Sequence, residues 1–120
     1  MRLFVDVDDT LILWDDSARQ MNQDQSLWMG DKYKVNIELI GVINNFASKN
    51  PLVPIYVWSG GGRNYARHWA DLYLDNVYDI ALAKDTTLPN KEDICIDDQI
   101  LSVKAILVTW QEFVDKYSPV

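Results

Sequence analysis

The sequence predicts an α/β domain built on a five-stranded parallel sheet, a Rossmann-like three-layer sandwich occupying residues 1–120 as one unit. Three observations lead there. Short apolar runs of strand length, at residues 3–5, 53–58, 78–82, 94–96 and 105–108, alternate with stretches of helical period. Near-continuous apolar strands of this kind belong in a parallel sheet covered on both faces. The polar residues gather where those strands end, which is where such sheets bind ligands. A chain of 120 residues buries a sizeable core but does not divide into two domains.

Composition narrows the class further. A hydrophobic share of 48% suits a globular protein. The formal charge of −7, from 18 acidic and 11 basic residues, argues against a general electrostatic grip on nucleic acid. A single cysteine, Cys95, excludes an internal disulfide framework and fits a reducing compartment. No apolar run approaches the roughly 18 residues of a membrane span, and the N-terminus lacks the pattern of a signal peptide. The expectation is a soluble, cytoplasmic, single-domain protein with no membrane partner.

Taken in order, the chain opens on Leu3, Phe4 and Val5, a buried strand that turns into the carboxylates Asp6, Asp8 and Asp9. Burying carboxylates costs several kcal/mol each unless something pairs with them, so a metal or a distant Lys or Arg is required. Residues 11–35 read as a small hairpin or flap: a short strand over residues 11–14, a turn at Asp15-Asp16-Ser17, and a second extended piece around Leu27-Trp28-Met29. Trp14 and Trp28 pack across it, or with Met29 form an apolar lid. Asn36 caps a helix whose face is Ile37, Ile40, Ile43, Phe46 and Ala47, and Asn50-Pro51 ends it. A strand over residues 53–58 runs into Ser59-Gly60-Gly61-Gly62, and a helix over residues 64–74 carries the stripe Tyr65, Trp69, Leu72 and Tyr73. The third strand leads to Lys84, and the fourth into Asp97-Asp98. A short helical piece over residues 100–103, a fifth strand and a last helix over residues 110–117 complete the reading.

The strand ends carry a coherent chemical set. Asp6 and Asp8, at i and i+2, can point toward one centre if the strand ends between them. One then attacks as a nucleophile, forming an acyl-phosphate, and the other exchanges protons. Ser59 with the Gly60 and Gly61 amides, near a helix N-terminus, offers donors to phosphoryl oxygens. Lys84 supplies positive charge where negative charge develops, with Lys91 as its alternative. Asp97 and Asp98 supply hard oxygen ligands suited to Mg²⁺.

On these residues the chain resembles the haloacid dehalogenase superfamily, in its Asp-based phosphatase branch. FVDVDDT is similar to that family's first motif, VWSGG to the second, Lys84 to the third and ICIDDQ to the fourth, over about residues 1–108. The resemblance implies a magnesium-dependent phosphohydrolase acting through an aspartyl-phosphate. It also implies Mg²⁺ held by the Asp6 carboxylate, the Asp8 backbone carbonyl and a fourth-motif Asp, with Asp98 favoured and Asp97 adjacent or water-bridged. The intervals between motifs leave no room for a cap domain. A capless member is expected to act on a bulky phosphate, here a nucleotide or nucleic-acid terminal phosphate, or to borrow a second subunit in a homo-oligomer. Two rivals belong to other classes: a non-catalytic metal- or phosphate-binding protein on the same fold, and a phospho-receiver signalling domain, whose order of Asp and Lys along the strands differs from this one. The chain lacks the glycine patterns of a P-loop or a dinucleotide site.

Overall fold

A computed structural model of the protein describes residues 1–14 and 33–119. Its elements are β1 (Leu3–Asp6), β2 (Ile12–Trp14), β3 (Tyr33–Val35), α1 (Ile37–Lys49), β4 (Ile55–Ser59), α2 (Arg63–Tyr73), β5 (Ile80–Ala83), β6 (Ile94–Ile96), β7 (Ile106–Val108) and α3 (Trp110–Tyr117). Five of the strands form the expected parallel sheet, in the order β5-β4-β1-β6-β7. Strand β1, buried along its whole length, lies at the centre. The chain leaves it first toward β4 and β5 and then crosses to β6 and β7. That reversal creates a crevice beyond the carboxyl end of β1.

The two faces of the sheet are packed differently among the described residues. Leu3, Val5, Ile55, Val57, Ala81, Ile94 and Ile96 face a core shared with α1, α2 and α3. Phe4, Trp58 and Cys95 point the other way, against Tyr56, Leu82, Leu101, Val103, Ala105 and Leu107. All three helices among the described residues thus cover one face, and among those residues the non-strand segment packed on the other is coil. The helical piece expected over residues 100–103 is absent. Leu101, Val103 and Ala105 pack at a spacing of two, the period of an extended chain, while Ile100 is 99% exposed.

Helix boundaries follow the sequence, but the buried faces are rotated. In α1 the buried residues are Leu39, Val42, Ile43 and Phe46, and Ile37 is 78% exposed. In α2 they are Tyr65, Ala66, Trp69 and Ala70, with Leu72 exposed. The first set is spaced i, i+3, i+4, i+7 and the second i, i+1, i+4, i+5, each a single helical stripe, in which a buried Ala marks close approach rather than low hydrophobicity. The base of the predicted hairpin is present as the antiparallel pair β2–β3, joining Ile12 to Val35 and Trp14 to Tyr33. The turn at residues 15–17 and the extended piece around residues 27–29 lie outside the described residues.

One ion pair, unremarked in the sequence, staples the far end of the sheet. The Asp93 carboxylate, 1% exposed, accepts from the Arg2 backbone N–H at 2.7 Å, from its guanidinium at 2.8 and 3.1 Å, and from Asn90 N–H at 2.8 Å. Burial alone would raise the Asp93 pKa, but Arg2 and the two backbone donors outweigh it and hold it below its ordinary value. A depressed carboxyl contributes stability that is present above its unfolded pKa and lost as pH falls through the folded value. Asp93→Ala is therefore expected to cost about 3 kcal/mol at neutral pH, the low end for breaking a buried pair because Arg2 is partly exposed. Denaturant titration should show the gap between wild type and variant closing below about pH 4. A constant gap down to pH 2 would show that packing, not charge, carries the effect.

Candidate active site

The site is built by the abrupt reversal after β1. Val7 O accepts from Ile12 N–H and Thr10 N–H, and Asp9 adopts a φ of 60°, the left-handed region that Asp tolerates better than most side chains. Asn36 locks this turn. Its side-chain N–H donates to Thr10 O at 2.8 Å while its Oδ1 caps α1 at Leu39 N–H, 3.2 Å away. The N-cap expected from sequence thus has a second duty, holding the loop that carries Asp8 and Thr10.

Four of the expected strand-end residues converge. Asp6, at the end of β1, is almost fully buried. Lys84 Nζ bridges Asp6 Oδ1 and Asp97 Oδ2, each at 2.9 Å, and Thr10 Oγ donates to Asp6 Oδ2 at 3.1 Å. Both Asp6 oxygens are therefore held. Lys84 Nζ lies 5.9 Å from the centre of the buried Trp58 ring. Lys91, the alternative lysine, is exposed in the turn preceding β6, at the opposite end of that strand. Asp97 Oδ1 accepts from Gln99 N–H at 3.0 Å, so both Asp97 oxygens are also engaged.

Charge sets the electrostatics. Burial, then repulsion from Asp97, pushes the Asp6 carboxyl well above the usual range, against the pull of Lys84. Partial burial raises Asp98 too, with Asp97 adding to it and a hydrogen bond from Asp6 opposing it. Burial would lower Lys84, but Asp6 and Asp97 together raise it, so the ammonium stays charged at neutral pH. Asp6, Asp97 and Asp98 each place a carboxylate oxygen within 4.8 Å of the others. One ammonium does not neutralise three acids. The all-oxygen donor set is of the kind that hard divalent cations take, and such a cation would relieve the repulsion. Asp98, the exposed member of the three, is the acid most open to it.

Asp8 stands apart from that cluster. Its Oδ1 accepts from Trp14 Nε1–H at 2.8 Å and from the Tyr65 hydroxyl at 2.5 Å. Burial, and then the hydrogen bond to Asp8, raises the Tyr65 phenol above its ordinary value, so it remains a donor. Trp14 is buried rather than a lid, packing on Tyr33 and Trp69. Trp28 and Met29 lie outside the described residues. Sequence reasoning assigned Tyr65 to the apolar stripe alone; an aromatic bearing a polar tip, one turn after a strand-end loop, was the signal that its hydroxyl needed a partner.

The loop after β4 completes the set. Ser59 is buried, and its Oγ accepts from Gly61 N–H at 3.0 Å, which leaves its own hydroxyl proton to be donated elsewhere. The Gly61 amide is thus engaged within the loop. Gly60 lies exposed beside it. A Cβ on Gly61 would come within 2.9 Å of the Tyr65 ring, and Gly62 caps α2 at a φ of 104°; both positions demand glycine, for different reasons. Cys95, beneath the site, is no nucleophile: burial, then the nearby Asp97, pushes its thiol up to about 12.

No helix among the described residues is long and apolar enough to cross a membrane. No protein-family model, curated protein or solved structure matches this chain.

Proposed function

We propose that the protein is a magnesium-dependent phosphomonoester hydrolase, a capless relative of the haloacid dehalogenase phosphatases. The observation that carries this reading is the cluster at the switch point: one buried aspartate with both oxygens held, bridged by lysine to a second, with a third acid beside them. Asp6 is the nucleophile. Its attack on phosphorus breaks the bond to the leaving oxygen, which takes a proton from Asp8. Water then attacks phosphorus, the bond to Asp6 breaks, and the water proton passes to Asp8. The Ser59 hydroxyl and Lys84 bind the phosphoryl oxygens, and the exposed Gly60 amide is the loop donor best placed to join them. Asp6 and Asp98, with the Asp8 carbonyl, would hold Mg²⁺, which supplies charge neutralisation for the phosphoryl group.

Strand order weighs against the phospho-receiver alternative. Receiver domains follow the order 2-1-3-4-5, whereas the five parallel strands here, numbered along the chain, run 3-2-1-4-5. A silent binding protein would keep the metal site without turnover, and the same experiment separates it. Nucleotides, 3′- and 5′-phosphorylated oligonucleotides, sugar phosphates and phosphopeptides are assayed with Mg²⁺ and with EDTA, alongside melting curves. The expected result is EDTA-sensitive turnover, with nucleotides or oligonucleotide ends preferred. Mg²⁺ should also raise the melting temperature, by the equivalent of about 2.7 kcal/mol at 100 times Kd. Metal-dependent melting without turnover of any ester would favour the binding protein. Melting and activity both indifferent to EDTA would sink the metal site.

A further inference from the structure

We infer that Tyr65 and Trp14 are positioning residues that hold Asp8 by Oδ1 and so dedicate Oδ2 to proton exchange with the leaving group and water. The inference rests on the proposed phosphohydrolase reading and adds residues that reading does not require. Two donors from different elements, the indole N–H of β2 and the phenol of α2, meet on the same carboxylate oxygen, at 2.8 and 2.5 Å. Neither bond uses Oδ2. An oxygen that accepts from two donors aimed at it has little room to carry a proton itself, since its lone pairs are engaged. The proton therefore resides on Oδ2 when Asp8 is an acid, and Oδ2 receives the water proton afterwards.

The surroundings make this arrangement rigid. Trp14 is almost fully buried, with ring contacts to Tyr33 and Trp69 at 5.4 and 6.0 Å. Tyr65 lies against Gly61, where a Cβ would collide with its ring. The phosphate-side loop after β4 and the proton-exchanging carboxyl are thus joined through one aromatic ring. A carboxyl on a loop, free to rotate about χ2, would present its proton in the right direction only part of the time; two fixed donors remove that freedom.

The test compares two esters in wild type, Tyr65→Phe, Trp14→Phe and Asp8→Asn. One is an alkyl phosphate, whose leaving oxygen needs a proton, and the other is p-nitrophenyl phosphate, whose leaving oxygen needs it far less. Both single aromatic variants are expected to lose kcat on both esters with little change in KM. The ratio of alkyl to aryl turnover should fall about tenfold in each, and further in Asp8→Asn, within the range that positioned acids supply. A readout independent of activity is the Trp14 indole N–H resonance, assigned by its loss in Trp14→Phe, which should shift in Asp8→Asn. A ratio that falls in Asp8→Asn but stays within about twofold of wild type in both folded aromatic variants would overturn the positioning role alone. A ratio unmoved by Asp8→Asn, or a wild type inactive on both esters, would overturn the underlying reading and this inference with it.

Discussion

Asp6→Asn is expected to abolish turnover, by at least about a thousandfold, while leaving the fold intact. Asn retains the size of the side chain and one oxygen for Thr10 or Lys84, but it is a far weaker nucleophile than a carboxylate. Rapid-quench trapping of a phosphoenzyme, present in wild type and missing in the variant, checks the assignment directly. The variant removes one of three clustered acids, so its stability without metal should match or exceed that of wild type, and its response to Mg²⁺ should weaken. Turnover like wild type in a folded Asp6→Asn protein would remove the nucleophile from the mechanism.

Lys84→Met should produce the largest loss of stability. The ammonium lies between Asp6 and Asp97, whose side chains are nearly or wholly buried, and its removal leaves two like charges without a counterion. Breaking a buried ion pair by deleting one partner costs about 3–5 kcal/mol. Denaturant unfolding measures this, and Mg²⁺ should restore part of it, since a divalent cation can take over the neutralisation. Activity should fall by roughly 10²–10³, the usual cost of losing a preorganised electrostatic donor, and should not recover with metal. A variant as stable as wild type would mean that the two carboxyls shed their charge by protonation rather than depending on Lys84.

Much of the site was legible in the sequence because its residues mark strand ends. Asp6, Ser59, Lys84 and Asp97 each follow an apolar run directly or within two residues, and a parallel sheet brings the ends of neighbouring strands within reach of one another. The sequence favoured Lys84 but did not exclude Lys91. Lys84 and Lys91 are both polar loop positions in the chain, and only the β4–β5 register, which pairs Ser59 with Ala83, sets Lys84 beside Asp6. Tyr65 was hidden. Period 3.6 places its ring on the buried face, and nothing in that period says that its hydroxyl reaches a carboxylate 57 positions earlier.

What the sequence determined by itself is local: alternating apolar runs and helical stretches, the cap at Asn36, and the acidic composition of the strand ends. These depend on backbone periodicity and short-range hydrogen bonding, which neighbouring residues control. The tertiary structure decided what depends on distant partners. Strand order brought Asp97 to Asp6; an extended segment rather than the expected helical piece placed Leu101, Val103 and Ala105 on the sheet; and Trp14 and Tyr65 came together on one oxygen of Asp8. Burial made the difference physical, because an isolated carboxylate is an ordinary acid in water, and only its enclosure beside Asp97, against the pull of Lys84, raises the Asp6 pKa.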